Sequence, residues 1–186
     1  MATILPIDEL NALEKRLKVH FDADGHIKSR KDCEDIIDEL FDLFLLAYAN
    51  GVEGVNQTFS TRVEPSTQRI QETVYKPIDG ATWRDRVLAW YASNGTMADI
   101  LRIAETEAHR IGNTAAYDTA VRAGATTKTW VCMMLPTSRD THIYLDGTTV
   151  PIDGYFYSYK GGKTQFPGEW GIADEDCNCL CELEFK

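Results

Sequence analysis

From Thr96 to Gly124 the chain reads "TMADILRIAETEAHRIGNTAAYDTAVRAG", and from Lys128 to Met134 it reads "KTWVCMM". The hydrophobic period changes between these two stretches, and that change decides the fold class. In the first, Ile100, Ala104, Ala108, Ile111, Ala115 and Thr119 recur three or four residues apart, as one stripe of an amphipathic helix does. Thr96 with Asp99 three residues on has the form of a capping box, and Gly124 is suited to the left-handed turn that ends a helix. This is expected to be the longest helix of the chain. Glu105 stands four residues before His109 and Glu107 three before Arg110, spacings that suit solvent-facing ion pairs. The other arrangement turns Glu107 inward, with Asn113, to fix a neighbouring loop.

After Gly124 the runs "KTWVCMM", "HIYL", "TTVPI", "YFYSY" and "CLCELEF" are short and β-rich, divided by Pro136, Asp146-Gly147, Asp153-Gly154, Gly161-Gly162 and Pro167-Gly168. Upstream, Leu10, Leu13, Leu17 and Phe21 keep helical spacing, as do Ile36, Ile37, Leu40, Phe41, Phe44 and Leu45 within a second helix from Lys31 to Asn50. Residues 51–79 are polar, weakly periodic and punctuated by Pro65 and Pro77, which predicts a linker around a short helix. A further helix is expected from Ala81, ended by Asn94-Gly95. The fold class is therefore α+β: N-terminal helices including one long one, then a small irregular antiparallel β module at the C-terminus.

The 186 residues are 44% hydrophobic, enough for one core, and the net charge of −10 argues against wrapping a nucleic-acid backbone. The opening "MATILPIDELNALEKRL" lacks the pattern of a secretory signal, and "LFLLAYA" is too short to cross a bilayer. A soluble protein with no membrane partner is expected. Five cysteines, three of them crowded at 177, 179 and 181, suit thiols or metal ligands better than a disulfide framework.

The chemistry concentrates in "SRDTHIYLDG", Ser138 to Gly147, and "DCNCLCELEFK", which ends the chain. Thiolates and an imidazole suit tetrahedral zinc, which makes His142, Cys179 and Cys181, with Cys177 as a fourth, a candidate ligand set. Asp140 and Asp146 are placed to orient His142 through a second carboxylate-to-ring bond. A buried thiol cluster beside a hydrogen-bonded structural histidine accounts for the same residues. Three other motifs carry less. The loop "HFDADGHIKSRK" imitates a calcium hand, yet His20 takes the first ligand position and Lys31 the twelfth. "GGKT" lacks the first glycine of a phosphate loop, and Ser138 lacks a nucleophile elbow around it.

Taken in order, "AETE" at Ala104 to Glu107, Arg139 and His142, Leu145 and Gly147, and Asn178, Cys179 and Cys181 resemble the phage Mu F-like minor head proteins, the head morphogenesis family. The similarity runs from about Trp83 to the end of the chain. Glu105 and Leu180 stand where that family carries Arg, Leu135 stands where an Asp is common, and Cys177 is additional. The resemblance implies that residues 1–80 are a helical region with its linker and residues 81–186 a head morphogenesis domain. It implies a non-enzymatic virion protein, partnered by portal and other head proteins and touching DNA at most indirectly. It would lie at the portal vertex or capsid interior, and in host cytoplasm during assembly. It also implies supporting roles for Glu107, Arg139, Asp140, Asp146 and Asn178 around a structural zinc. The competing expectation is a metal-dependent hydrolase or toxin-like enzyme, with His142, Asp140 and Glu107 around a zinc-bound water.

Overall fold

The structure, a computed structural model, describes Ile4 and residues 6–186. Among the described residues, seven α-helices and five strands follow the expected α-then-β order. Helix α1 spans Ile7–Leu17 and runs into a 3-10 turn at Lys18–His20. The loop that resembles a calcium hand closes on itself: Phe21 bridges Ile27, and the Asp22 carboxylate accepts from the backbone N–H of Asp24 and His26 at 3.0 and 2.9 Å.

Helix α2 spans Arg30–Phe59, capped by the Ser29 side chain, which accepts from Asp32 N. Its 30 residues exceed the 27 of α5, Met97–Ala123, so the expected order of lengths is reversed. It also continues nine residues past Asn50, through the segment that reads as linker. The reason lies in Gly51. A Cβ at that position would stand 2.3 Å from the Gly112 carbonyl oxygen of α5. Glycine here costs helix propensity but lets the two long backbones cross in contact. Two shorter helices, α3 at Thr67–Val74 and α4 at Trp83–Ala92, brace this pair. A capping box joins Thr82 and Asp85 at the start of α4. At the start of α5, the Asp99 carboxylate accepts from both the N–H and the hydroxyl of Thr96 at 2.9 Å. Gly124, at φ 85°, ends α5 in the left-handed turn expected of it.

Strand β1, Thr127–Val131, is the centre of the β module. It pairs antiparallel with β2, Thr149–Pro151, on one side and with β5, Glu182–Phe185, on the other. A separate antiparallel pair joins β3, Phe156–Tyr157, to β4, Lys163–Thr164. The run "HIYL", expected as strand, is helix α6, Asp140–Leu145, and a single turn, α7, covers Ala173–Asp176. Lys128 of β1 is fully buried; its ammonium donates to the Ile152 carbonyl at 2.7 Å and lies 4.5 Å from the centre of the Tyr117 ring.

Two apolar clusters form, and α5 serves both. Its N-terminal half (Ile100, Ala104, Ala108, Ile111) packs with α1, α2 and α4, while Ala116 and Ala120 pack against Trp130, Phe156 and Leu183 of the β module. No helix among the described residues is long and apolar enough to cross a membrane.

Of the two ion pairs expected on the α5 surface, Glu107–Arg110 forms inside the fold and Glu105–His109 does not form. Glu107 and Arg110 are 1% and 2% exposed and pair at 2.8 Å; His109 is also buried, and its Nδ1 has no partner. Burial alone holds His109 neutral, its pKa lowered from 6.5 to about 4. Between those values the unfolded chain binds a proton that the folded chain refuses, so stability falls as pH is lowered through this window and recovers as it rises. The loss should be about 3 kcal/mol by pH 4. Urea titrations at pH 7 and pH 4.5 should show a smaller acid loss in His109→Leu than in the parent; equal losses would place the acid sensitivity elsewhere.

Candidate metal centre

The loop after β1 turns at Pro136, with the Ser138 hydroxyl accepting from Leu135 N at 2.9 Å, and enters α6 at Arg139. Helix α6 is short, and only Thr141, His142 and Leu145 are buried. This face places His142, 2% exposed, on the second apolar cluster. Its ring stands edge-on to Trp130 at 5.5 Å between centres and stacks on Trp170 at 6.2 Å. Trp170 is held in turn by the Asp176 carboxylate, which collects the backbone N–H groups of Trp170, Gly171 and Ile172 at 2.8 to 3.2 Å.

The opposing half of the site comes from the segment that joins α7 to β5. Asn178 adopts φ 55°, and its N–H donates to Thr106 Oγ1 of α5 at 3.0 Å. That left-handed residue breaks the period-two alternation that would have set all three terminal cysteines on one face. Cys179 and Cys181 turn inward and are each 3% exposed; Cys177, half-buried, ends α7 and stays outside the group. The side chain of Asn113 fixes the segment further by donating to the Cys181 carbonyl at 2.9 Å.

His142 Nδ1 thus faces two sulfurs, Cys179 at 3.6 Å and Cys181 at 3.5 Å. The three donor atoms lie within 4.8 Å of one another, all on buried side chains. The thiols form a coupled pair. Hydrogen bonding to Cys181 favours thiolate at Cys179, assisted by His142, while the same bond and burial push the Cys181 thiol up. On the far side of the imidazole, Nε2 sits 3.1 Å from Glu175 Oε2, at ion-pair distance though not aligned as a hydrogen bond. Glu175, 5% exposed, also accepts from the Thr141 hydroxyl at 2.8 Å.

The carboxylate beside His142 is therefore Glu175, not Asp140 or Asp146. Asp140 begins α6 with its side chain in solvent, because the helix buries the opposite face. Asp146 accepts from Cys132 N at 2.8 Å and so anchors the end of β1. Arg139 donates to the Cys177 carbonyl, tying α6 to the cysteine segment as a support. Glu107 lies in a different network, held by Arg86 and Arg110, with Arg110 also donating to the Thr73 carbonyl at 3.1 Å. The hydrolase arrangement of His142, Asp140 and Glu107 is thus not assembled. The cleft beside the cluster, lined by Leu135, Arg139, His142 and Cys179, holds about 30 Å³, room for a water molecule or two.

A second group, His20, Asp32 and Asp35, lies half-buried near the start of α2. His20 Nδ1 is 3.1 Å from Asp32 and Asp35 is 2.5 Å from Lys31, so internal pairing accounts for it.

Comparison with known proteins gives two partial similarities. The chain is 35% identical over 83 residues to a minor head protein of Bacillus phage SPP1, an alignment that covers 43% of this chain and 27% of that protein. It is 36% identical over 85 residues to an NAD(+)–arginine ADP-ribosyltransferase of Enterococcus faecalis, covering 44% of this chain and 17% of that one. The chain thus spans about a quarter and about a sixth of the relatives it matches. No protein-family model and no solved structure matches it.

Proposed function

We propose that this chain is a minor head component of a tailed bacteriophage, acting at the portal vertex in head assembly and in the handling of packaged DNA. Kinship with the Mu F-like head morphogenesis proteins belongs to the same reading, as does residence in the virion after assembly in host cytoplasm. The observation that carries it is the similarity to the SPP1 minor head protein. The ordered series Thr106-Glu107, Arg139, His142, Leu145, Gly147, Asn178, Cys179 and Cys181 is in keeping with it. A net charge of −10 suits a protein that docks on other proteins without premature capture by DNA.

The same reading makes the buried cluster a structural zinc site, with His142, Cys179 and Cys181 as ligands. The donor set fits. Zinc bonds of about 2.3 Å to sulfur and 2.0 Å to nitrogen, at tetrahedral angles, imply N···S separations of about 3.5 Å. The separations here are 3.5 and 3.6 Å. Glu175 beside the remote ring nitrogen supplies the carboxylate that zinc-binding histidines ordinarily carry. Zinc bound there would act as a cross-link between α6 and the segment leading into β5. The chain's residues would keep substrate-sized molecules out and the imidazole oriented.

Two measurements test the reading. Phage particles purified from a lysogen or lysate that expresses the chain should contain it in low copy, and it should co-purify with portal protein; its absence from particles would overturn the head assignment. Protein purified without chelator should carry one equivalent of zinc and lose it in His142→Ala and in Cys179→Ser. Metal loss should lower the melting temperature by about 10 °C, roughly 3 kcal/mol for a chain of this size. Unchanged metal content in both variants would return the cluster to a thiol–imidazole contact.

A further inference from the structure

The cluster supplies three donors, and a closed tetrahedral site needs four. Resting on the zinc reading above, we infer that Cys132, one residue past the end of β1, is the fourth ligand, in place of Cys177.

The register of the sheet carries this inference. The β1–β5 ladder pairs Lys128 with Phe185, Thr129 with Glu184, Trp130 with Leu183 and Val131 with Glu182. One further rung of the same register sets Cys132 directly opposite Cys181. Opposed residues in an antiparallel pair present their side chains on the same face. Which face is clear from the neighbours: Trp130 and Leu183 lie two residues back on each strand, and both are buried in the cluster that also contains Cys132, Cys179 and Cys181. Trp130 is the residue on whose ring His142 stands.

The hydrogen bonds add the spacing. Thr127 and Lys186 exchange backbone N–H···O bonds at 3.0 and 3.1 Å, which makes theirs a hydrogen-bonded pair. Such pairs alternate with non-hydrogen-bonded ones along an antiparallel ladder. Counting from 127 and 186, the rung of Cys132 and Cys181 is non-hydrogen-bonded, the kind with Cα atoms closest, about 4.5 Å apart. Two thiols on Cβ atoms so placed can converge on one ion. The Cys132 sulfur stands outside the tight trio of donor atoms, so closure requires it to turn toward Cys181 about its Cα–Cβ bond. The backbone at Cys132 is held in place, its N–H donating to the Asp146 carboxylate at 2.8 Å.

Cys177 has the opposite circumstances. It is only half-buried, its carbonyl is held by Arg139, and the left-handed Asn178 separates it from the inward-facing pair. A site of one imidazole and three thiolates, each thiol releasing its proton to solvent as the metal enters, has no open position for water. It would bind three parts of the β module together: the end of β1, α6 and the approach to β5.

Zinc-edge X-ray absorption on the full chain reads the ligand count directly. The parent should give three sulfurs and one nitrogen, Cys177→Ser the same, and Cys132→Ser two sulfurs. In the cobalt-substituted protein, thiolate-to-metal charge-transfer intensity should fall by about one third in Cys132→Ser and stay unchanged in Cys177→Ser. Two sulfurs in the parent, or a loss in Cys177→Ser with none in Cys132→Ser, would overturn the inference and leave the zinc reading standing. A parent that holds no zinc would overturn both. Because the parent count needs no variant, misfolding of Cys132→Ser does not blunt the test.

Discussion

Glu107→Ala should destabilise the folded chain by about 3–5 kcal/mol, the range found when one member of a buried ion pair is removed. Glu107 is 1% exposed and has a guanidinium at each oxygen: Arg86 at Oε1 and Arg110 at Oε2. Truncation strands Arg110, 2% exposed, whose nearest remaining acid is Glu169 at 3.6 Å. Glu107→Gln keeps an acceptor without the charge and should fall between parent and alanine variant. The double variant Glu107→Ala with Arg110→Met should cost less than the sum of the two single changes, because the stranded charge has gone. Chemical denaturation of the parent, Glu107→Ala, Glu107→Gln, Arg110→Met and the double variant reads this directly. Additive losses would show that Glu107 and Arg110 do not act as a pair.

Gly51→Ala is expected to be at least as severe, about 4 kcal/mol or more. Overpacking a core with one methyl commonly costs 1–3 kcal/mol because side chains and backbone give way a little. Here the neighbours are backbone: the new Cβ would lie 2.3 Å from the Gly112 carbonyl oxygen and 3.2 Å from Ala116 N. Relief therefore requires α2 and α5 to separate along their shared face. A melting temperature lowered by more than about 10 °C, with helical content retained below it, is the expected signature. A neutral result would mean that the helices cross with more slack than their backbones allow here.

The elements with strong local signals were legible before the fold was known. The Thr96–Asp99 cap, the stripe from Ile100 to Thr119 and Gly124 bound α5 closely, and the change of period after Gly124 marks the β module. The continuation of α2 to Phe59 was not legible, because Gly51 and Gly54 look like linker when their partner helix is out of sight. The sequence "HIYL" fits strand chemistry; it forms α6 because tertiary contacts with Trp130 and Trp170 reward the helical face that buries Thr141, His142 and Leu145. At the site, the types and order of His142, Cys179 and Cys181 were readable, since zinc-like donor sets are rare. Glu175 was not, because it meets His142 across 33 residues of chain; the acid run "ADED" before Cys177 was its only trace. Cys132 reads locally as one more apolar strand residue, and its place opposite Cys181 emerges only when the β1–β5 register is extended by one rung. The inward alternative for Glu107 and Asn113 describes their burial, though Glu107 grips arginines of α4 and α5 rather than a loop.

Helix α5 belongs to both apolar clusters, and at 27 residues it is about 40 Å long. In mechanical terms it is a strut, built in at both ends. Units joined by a polar linker swing independently, but a load applied to the β module here is transmitted along the axis of α5 and sheared across its seam with α2. The joint at Gly51 and Gly112, where the two backbones meet with no side chain between them, is then the place at which that load crosses from one long helix to the other.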